Sequence, residues 1–182
     1  MENLWVTGYR NYELNVYDDK DPKLRIIKYA LRQQLTTYLD QGLAWIITGA
    51  QLGSEQWTIQ VAQQLKQDYP ELRVAAMLPF MEFGHNWNEA NQTQLNNILT
   101  TADFTGNVSA KAYHSPQQLK NYQTFMLEHT DGALMLYDPE YPGKPKYDYD
   151  AILKYQTQSD YTLDLIDMYD LEDLSRQISQ DS

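Results

Sequence analysis

The 182-residue sequence contains no cysteine. Without thiols, the chain has no disulfide bonds, no thiolate zinc sites and no cysteine nucleophile. It also lacks an apolar run long enough to span a membrane, and its N-terminus lacks the basic-then-apolar pattern of a secretory signal. We therefore expect a soluble, cytoplasmic protein without membrane insertion.

Positive charge is also scarce. The sequence has 14 Lys and Arg residues against 25 Asp and Glu residues, which gives a formal net charge of −11. A negative field repels phosphate backbones and anionic lipids, so general nucleic-acid binding is not expected. Residues 33–64 and 74–110 contain no Lys or Arg. A cation for a bound phosphate would therefore come from Arg10, Lys144, Lys146 or Lys111; Arg10 is the best placed, unless it pairs with Glu13.

Several familiar motifs of enzymes are absent. The sequence has no GxGxxG, P-loop, HExxH or GxSxG pattern and no paired-carboxylate motif, and its three histidines do not have metal-ligand spacing. It therefore predicts no metal site and no bound cofactor. By contrast, the sequence is rich in tyrosine, with 15 tyrosines against 4 phenylalanines. Such amphipathic rings are suited to the partly solvated walls of clefts. Alternatively, the tyrosines are surface residues that accumulated by compositional drift.

The pattern of apolar residues predicts one α/β domain over residues 1–182. Apolar runs at residues 3–7, 44–48, 73–78, 132–137 and 161–166 predict strands, and residues 104–108 predict a weaker one. Helical periodicity lies between them, as at Leu24, Ile27 and Leu31. It also places Leu119, Tyr122 and Met126 on one apolar side of a later helix, and a short acidic tail follows the last strand. Repeated β-then-α order favours a Rossmann-like, doubly wound, mainly parallel sheet with helices on both faces.

In such folds, ligands bind beyond the carboxyl ends of the strands. This rule selects the loops that begin at Thr7, Gly49 and Pro79, the segment leading to Trp87, and the loop before Lys146.

The loop of residues 49–53 is the most informative of these. Gly49 and Gly53 allow a tight turn before a helix, with free N–H groups facing a ligand, but an ordinary connecting turn has the same spacing. Ser54 is predicted to cap that helix. Glu55 complements the helix dipole, or it accepts ribose hydroxyls or handles a proton.

Four segments in order resemble the YpsA family of the SLOG superfamily, which also contains the DprA and LOG proteins. They are TGYRNYEL at 7–14, GAQLGSEQW at 49–57, LPF at 78–80 with NW at 86–87, and DGALMLYDPE at 131–140 followed by GKPKY. The resemblance covers nearly the whole chain. It implies a Rossmann-like fold, a pocket for a nucleotide-derived ligand such as ADP-ribose, and a link to cell division in Gram-positive bacteria.

The strand-end rule and the resemblance together give a candidate site. Its ligand-binding residues are Thr7, Gly8, Arg10, Gly49, Gln51, Gly53, Ser54, Glu55, Trp57, Pro79, Trp87 and Lys146. We expect a regulatory protein that binds a nucleotide-derived small molecule, with a cell-division protein as partner, and that forms a homo-oligomer.

The alternative is a nucleotide N-glycosidase, similar to the phosphoribohydrolases, with Glu55 as the catalytic residue. The sequence lacks the proline and paired glycines of the PGGxGTxxE motif of LOG enzymes. A third possibility is an interaction module with a vestigial pocket.

Overall fold

The structure, a computed structural model, describes residues 1–181. In this part of the chain six parallel strands form one sheet in the order β4-β3-β2-β1-β5-β6. The strands are β1 (Asn3–Gly8), β2 (Trp45–Thr48), β3 (Arg73–Leu78), β4 (Phe104–Asn107), β5 (Gly132–Leu136) and β6 (Thr162–Ile166). The predicted Rossmann-like, doubly wound α/β class is confirmed.

Helices alternate with the strands. They are α1 (Pro22–Asp40), α2 (Ser54–Leu65), α3 (Glu89–Thr101), α4 (Gln117–Glu128), α5 (Lys146–Gln156) and α6 (Met168–Gln180). Helix α1 packs against α2 and α6, and α2 packs against α3, whereas α4 packs against α5. Because parallel crossovers are right-handed, the face of the sheet on which a helix lies depends on the direction in which the next strand is added. When that direction reverses, the helices lie on the other face.

The sequence explains why the central elements form. Strand β5 is buried along its whole length and β1 along all but its first residue, so both carry continuous apolar runs. Helix α1 begins after Asp21, whose carboxylate accepts a hydrogen bond from Lys23 N at 2.9 Å, with Pro22 in the first turn. The predicted apolar stripe of α1 is buried.

Three local predictions were wrong. The expected acidic tail is helix α6, which begins at a capping box formed by Asp167 and Asp170 and contributes Leu174 to the core. Acidic residues that look like a solvated tail are here the start and outer face of an amphipathic helix. Leu119, predicted on the buried face of α4, is exposed. Ser54 is the first residue of α2 rather than its cap, because Gly53 occupies the cap position.

The order of the strands creates a switch point. From β1 the chain runs outward through β2, β3 and β4, then crosses back to β5 on the other side of β1. The loops after β1, β2 and β5 therefore diverge from adjacent strand ends. In open α/β sheets this is where ligands bind.

Candidate functional site

The loops at the switch point are fixed to one another by buried hydrogen bonds. The Tyr9 hydroxyl, after β1, donates to Tyr141 O at 2.8 Å and accepts from Asp138 N at 2.9 Å. The Tyr9 carbonyl accepts from Ser54 N at 3.1 Å and from Ser54 Oγ at 2.8 Å. The start of α2 and the loop after β5 are thus both held against the loop after β1.

Glu55 lies in the first turn of α2, and only 9% of its surface is exposed. Thr7 Oγ1 donates to Glu55 Oε2 at 2.8 Å, and Gln51 N donates to Oε1 at 3.0 Å. These two bonds come from β1 and from the loop after β2. They compensate the burial of the carboxylate and fix its direction toward the strand ends.

Gly49 leaves room for this carboxylate. A Cβ atom at Gly49 would overlap Glu55 Oε1 and would lie 2.9 Å from the hydroxyl oxygen of Tyr122 on α4. The Tyr122 hydroxyl is buried and has no hydrogen-bond partner within the described residues. Burial, and next the charge of Glu55, raise the pKa of Tyr122 well above its usual value, so it remains a neutral donor.

Asp148 on α5 adds a second carboxyl group. Gln123 Nε2 donates to Asp148 Oδ1 at 2.8 Å, and Gln123 is the neighbour of Tyr122 on α4. Burial, with a smaller contribution from the charge of Glu55, raises the pKa of Asp148 to about 6, against the lowering effects of Gln123 and Arg10. The fold therefore brings the carboxyl groups of Glu55 and Asp148 within electrostatic range of each other, which the sequence motifs did not reveal.

Arg10 supplies positive charge to the same group of residues. Its positive charge partly opposes the rise in the pKa of both Tyr122 and Asp148, so it acts on both groups. The anticipated ion pair with Glu13 does not form: the Glu13 carboxylate accepts from the backbone N–H groups of Arg10 and Lys144, each at 2.7 Å. Within residues 1–181, the Arg10 guanidinium has no ion pair or hydrogen bond.

Two glycines are explained by packing rather than by an open approach to a ligand. A Cβ atom at Gly8 would lie 2.5 Å from Leu136 O on β5. At Gly53, whose φ is +103°, a Cβ atom would overlap Asn11 N and lie 2.7 Å from Tyr9 O. Gly53 is at the N-terminus of α2, as predicted, but its open side is filled by the loop after β1.

The contacts of four further predicted residues are made elsewhere than at the Glu55 carboxylate. Trp57 is 6% exposed and belongs to the hydrophobic core. Pro79 is buried after β3, where its carbonyl accepts from Ser109 N at 3.2 Å. Trp87 packs edge-on against Phe83 at 5.2 Å. Lys146 forms an exposed 2.7 Å ion pair with Asp150 one turn along α5.

The sequence reading missed Tyr122, Gln123 and Asp148 as site residues. One signal was present for Asp148: it shares a helical face with the apolar residues Ile152 and Tyr155. A carboxyl group on an apolar face needs a partner or a function. No comparable signal marked Tyr122, which reads as an ordinary core-facing aromatic of α4.

The described residues contain neither a metal-binding cluster nor a membrane-spanning helix. No group of three or more His, Asp or Glu side chains is arranged to hold a metal ion. No helix in residues 1–181 is both long enough and apolar enough to cross a bilayer.

Comparison with known proteins shows the family of the chain. The YpsA model, described as the YspA SLOG family, matches residues 4–171. The chain belongs to the YpsA family. A UPF0398 protein of Ligilactobacillus salivarius is 56% identical over 173 residues, 95% of this chain and 94% of that protein. The UPF0398 protein of Latilactobacillus sakei is 54% identical over 180 residues, 99% of this chain and 97% of that protein.

Proposed function

We propose that this YpsA-family protein binds a nucleotide-derived small molecule at the carboxyl ends of β1, β2 and β5. The observation that carries the proposal is the buried Tyr122 hydroxyl, which has no hydrogen-bond partner in the described residues and lies near the Glu55 carboxylate across Gly49. The Arg10 guanidinium, whose charge acts on Tyr122, forms no ion pair within the described residues. A buried donor without a partner is costly and is expected to gain one on binding.

The chemistry of the three groups supports a phosphorylated sugar. Arg10 would bind a phosphate through its guanidinium fork. The carboxylate of Glu55 would accept a hydrogen bond from a ribose hydroxyl, and Tyr122 would donate one to a ribose oxygen. A phosphate directly beside Glu55 and Asp148 is disfavoured by their like charge. This assigns the phosphate to the Arg10 side of the site.

In the proposed regulatory role, ligand binding changes the surface offered to a cell-division protein. The divergent loops after β1 and β5 surround the site, and Tyr12 and Tyr141 on them are exposed. A ligand bound between these loops would alter the shape and charge of that surface. The partner itself comes from the family resemblance.

Calorimetry with AMP and ADP-ribose tests the binding proposal. Arg10→Gln should weaken binding by about 10- to 100-fold, as expected for loss of a charged hydrogen bond. Arg25→Gln is the matched control, since Arg25 is an exposed residue of α1 and the charge change is identical. Equal affinity of the two variants, or no binding of either ligand to the parent protein, would contradict the proposal.

The two carboxyl groups of Glu55 and Asp148 favour a second candidate function, hydrolysis of an N-glycosidic bond. Asp148, with its pKa raised to about 6, would give its proton to the leaving base nitrogen as the C1′–N bond breaks. Water would form the new bond to C1′, and Glu55 would accept the proton of that water. Incubation with nucleoside monophosphates should then release free base, and Asp148→Asn should slow the release by about 10²–10⁴-fold.

A further inference from the structure

A chain of aromatic rings extends from the loop after β3. The ring of Tyr113 lies 5.3 Å from Phe80, Phe80 lies 5.6 Å from Phe83, and Phe83 lies 5.2 Å from Trp87. Tyr113, at one end, has 51% of its surface exposed. About half of the Tyr113 surface is therefore free to contact a ligand.

The segment that carries Tyr113 is held firmly. Gln118, at the start of α4, is 4% exposed. Its side-chain oxygen accepts a hydrogen bond from His114 N at 2.7 Å. Its side-chain nitrogen donates hydrogen bonds to Ser109 Oγ at 2.9 Å and to Ala112 O at 3.1 Å. The loop after β3 joins the same segment through Met81 N, which donates to Lys111 O at 3.1 Å.

The rings of Phe80 and Tyr113 follow β3 and β4, so they lie at the same edge of the sheet as the candidate site. Strand β3 is the neighbour of β2, and Thr48 at the end of β2 pairs with Ala76, so β3 extends two residues, about 6–7 Å, beyond the end of β2. Gln118 precedes Tyr122 by one turn of α4, about 6 Å along the helix axis. One rigid helix therefore connects the residue that holds the Tyr113 segment with the hydroxyl that faces Glu55.

We propose that Tyr113 and Phe80 form a stacking site for the base of the nucleotide ligand, and that Gln118 positions Tyr113 for this role. The inference rests on the proposed function, because it requires the sugar and phosphate at Glu55 and Arg10. An exposed aromatic face stacks on a base without regard to its hydrogen-bonding edges. A preformed ring also avoids the entropy of ordering a mobile one.

AMP and ribose 5-phosphate are suitable probes because they differ only in the base. Binding of both is measured by calorimetry for the parent, Tyr113→Ala, Tyr113→Phe and Gln118→Leu. Tyr169→Ala is the matched control, since Tyr169 is an exposed tyrosine on α6. We expect Tyr113→Ala to weaken AMP binding by about 10-fold or more and to leave ribose 5-phosphate unchanged. Tyr113→Phe should keep the parent affinity, and Gln118→Leu should weaken AMP selectively.

Four results would overturn the inference. An unchanged AMP affinity in Tyr113→Ala would mean that the ring does not contact the base. Equal losses for both probes would indicate a general structural effect. Ribose 5-phosphate binding that depends on Arg10, without tighter binding of AMP, would exclude the stacking site but retain the proposed function. If neither probe binds the parent protein, both proposals fail.

Discussion

The switch-point cluster and the groove between α2 and α3 are two very different concave regions. The groove has a volume of about 510 Å³ and is lined by amide and hydroxyl side chains, among them Gln60, Gln63, Gln94 and Asn97. Its described lining includes no charged residue. The cluster joins Thr7, Glu55, Tyr122, Asp148 and Arg10 from four elements and a loop.

The polar groups that converge in the switch-point cluster are a better guide to a ligand site than the larger volume of the groove. The groove is a depression between two helices packed on one face of the sheet. The cluster lies where the topology brings separate strand ends together, and its groups have shifted pKa values and missing partners. Four variants test this distinction, from the largest expected effect to the smallest.

Gly53→Val should produce the largest loss of stability. Gly42 has nearly the same φ, +105° against +103°, but a Cβ atom there meets nothing within 4 Å. Gly42→Val therefore measures the backbone strain alone, and Gly53→Val adds the clash with residues 9–11. We expect Gly53→Val to lower the free energy of unfolding by about 3 kcal/mol or more beyond its control, measured by urea denaturation. Equal losses would mean that the loop after β1 yields easily.

Glu55→Gln should weaken AMP binding by about 1–3 kcal/mol, because the amide removes the charge of a hydrogen-bonding group in the cluster. Glu128→Gln is the control, an exposed glutamate on α4. If the protein is a hydrolase, release of base should fall by about 10²–10⁴-fold while binding changes little. Unchanged affinity and no turnover in either protein would reduce Glu55 to a structural role at the start of α2.

Asp148→Asn should change the pH dependence of stability. The folded-state pKa of Asp148, about 6, is above its ordinary value of 3.8. The protonated form therefore favours folding at low pH, and this contribution is lost as pH rises from about 4 to about 6. In the parent protein, the free energy of unfolding should fall by about 1–2 kcal/mol across this window because of Asp148. Asp148→Asn should abolish this fall, as measured by thermal unfolding in a pH series. Parallel pH profiles for the two proteins would contradict the burial of Asp148.

Asn97→Ala should have the smallest effect. Asn97 is an exposed residue of the α2–α3 groove. Surface substitutions of this kind usually change stability by less than about 0.5 kcal/mol. We expect AMP binding, measured by calorimetry, to be unchanged as well. A loss of affinity comparable with that of Arg10→Gln would move the ligand site to the groove.

The sequence was sufficient for the parts of the fold that local patterns determine. Continuous apolar runs predicted the strands to within one residue, and Glu55 and Gly53 fell at the start of α2, because strand burial and helix starts are encoded nearby. The contacts of Asp148 and Tyr122 with this region depend on where the crossovers place α4 and α5. From the sequence alone, Gly53 was equally compatible with a ligand-binding loop and with a packed turn. The position of residues 9–11, which fill the space beside it, decides for the packed turn.

A crystal structure of the protein with saturating AMP tests the central claim most directly. We predict that the phosphate contacts the Arg10 guanidinium and that a ribose oxygen lies within about 3 Å of the Tyr122 hydroxyl, the usual hydrogen-bond distance. AMP in the groove between α2 and α3, or a switch-point cluster that stays empty at saturation, would contradict the account.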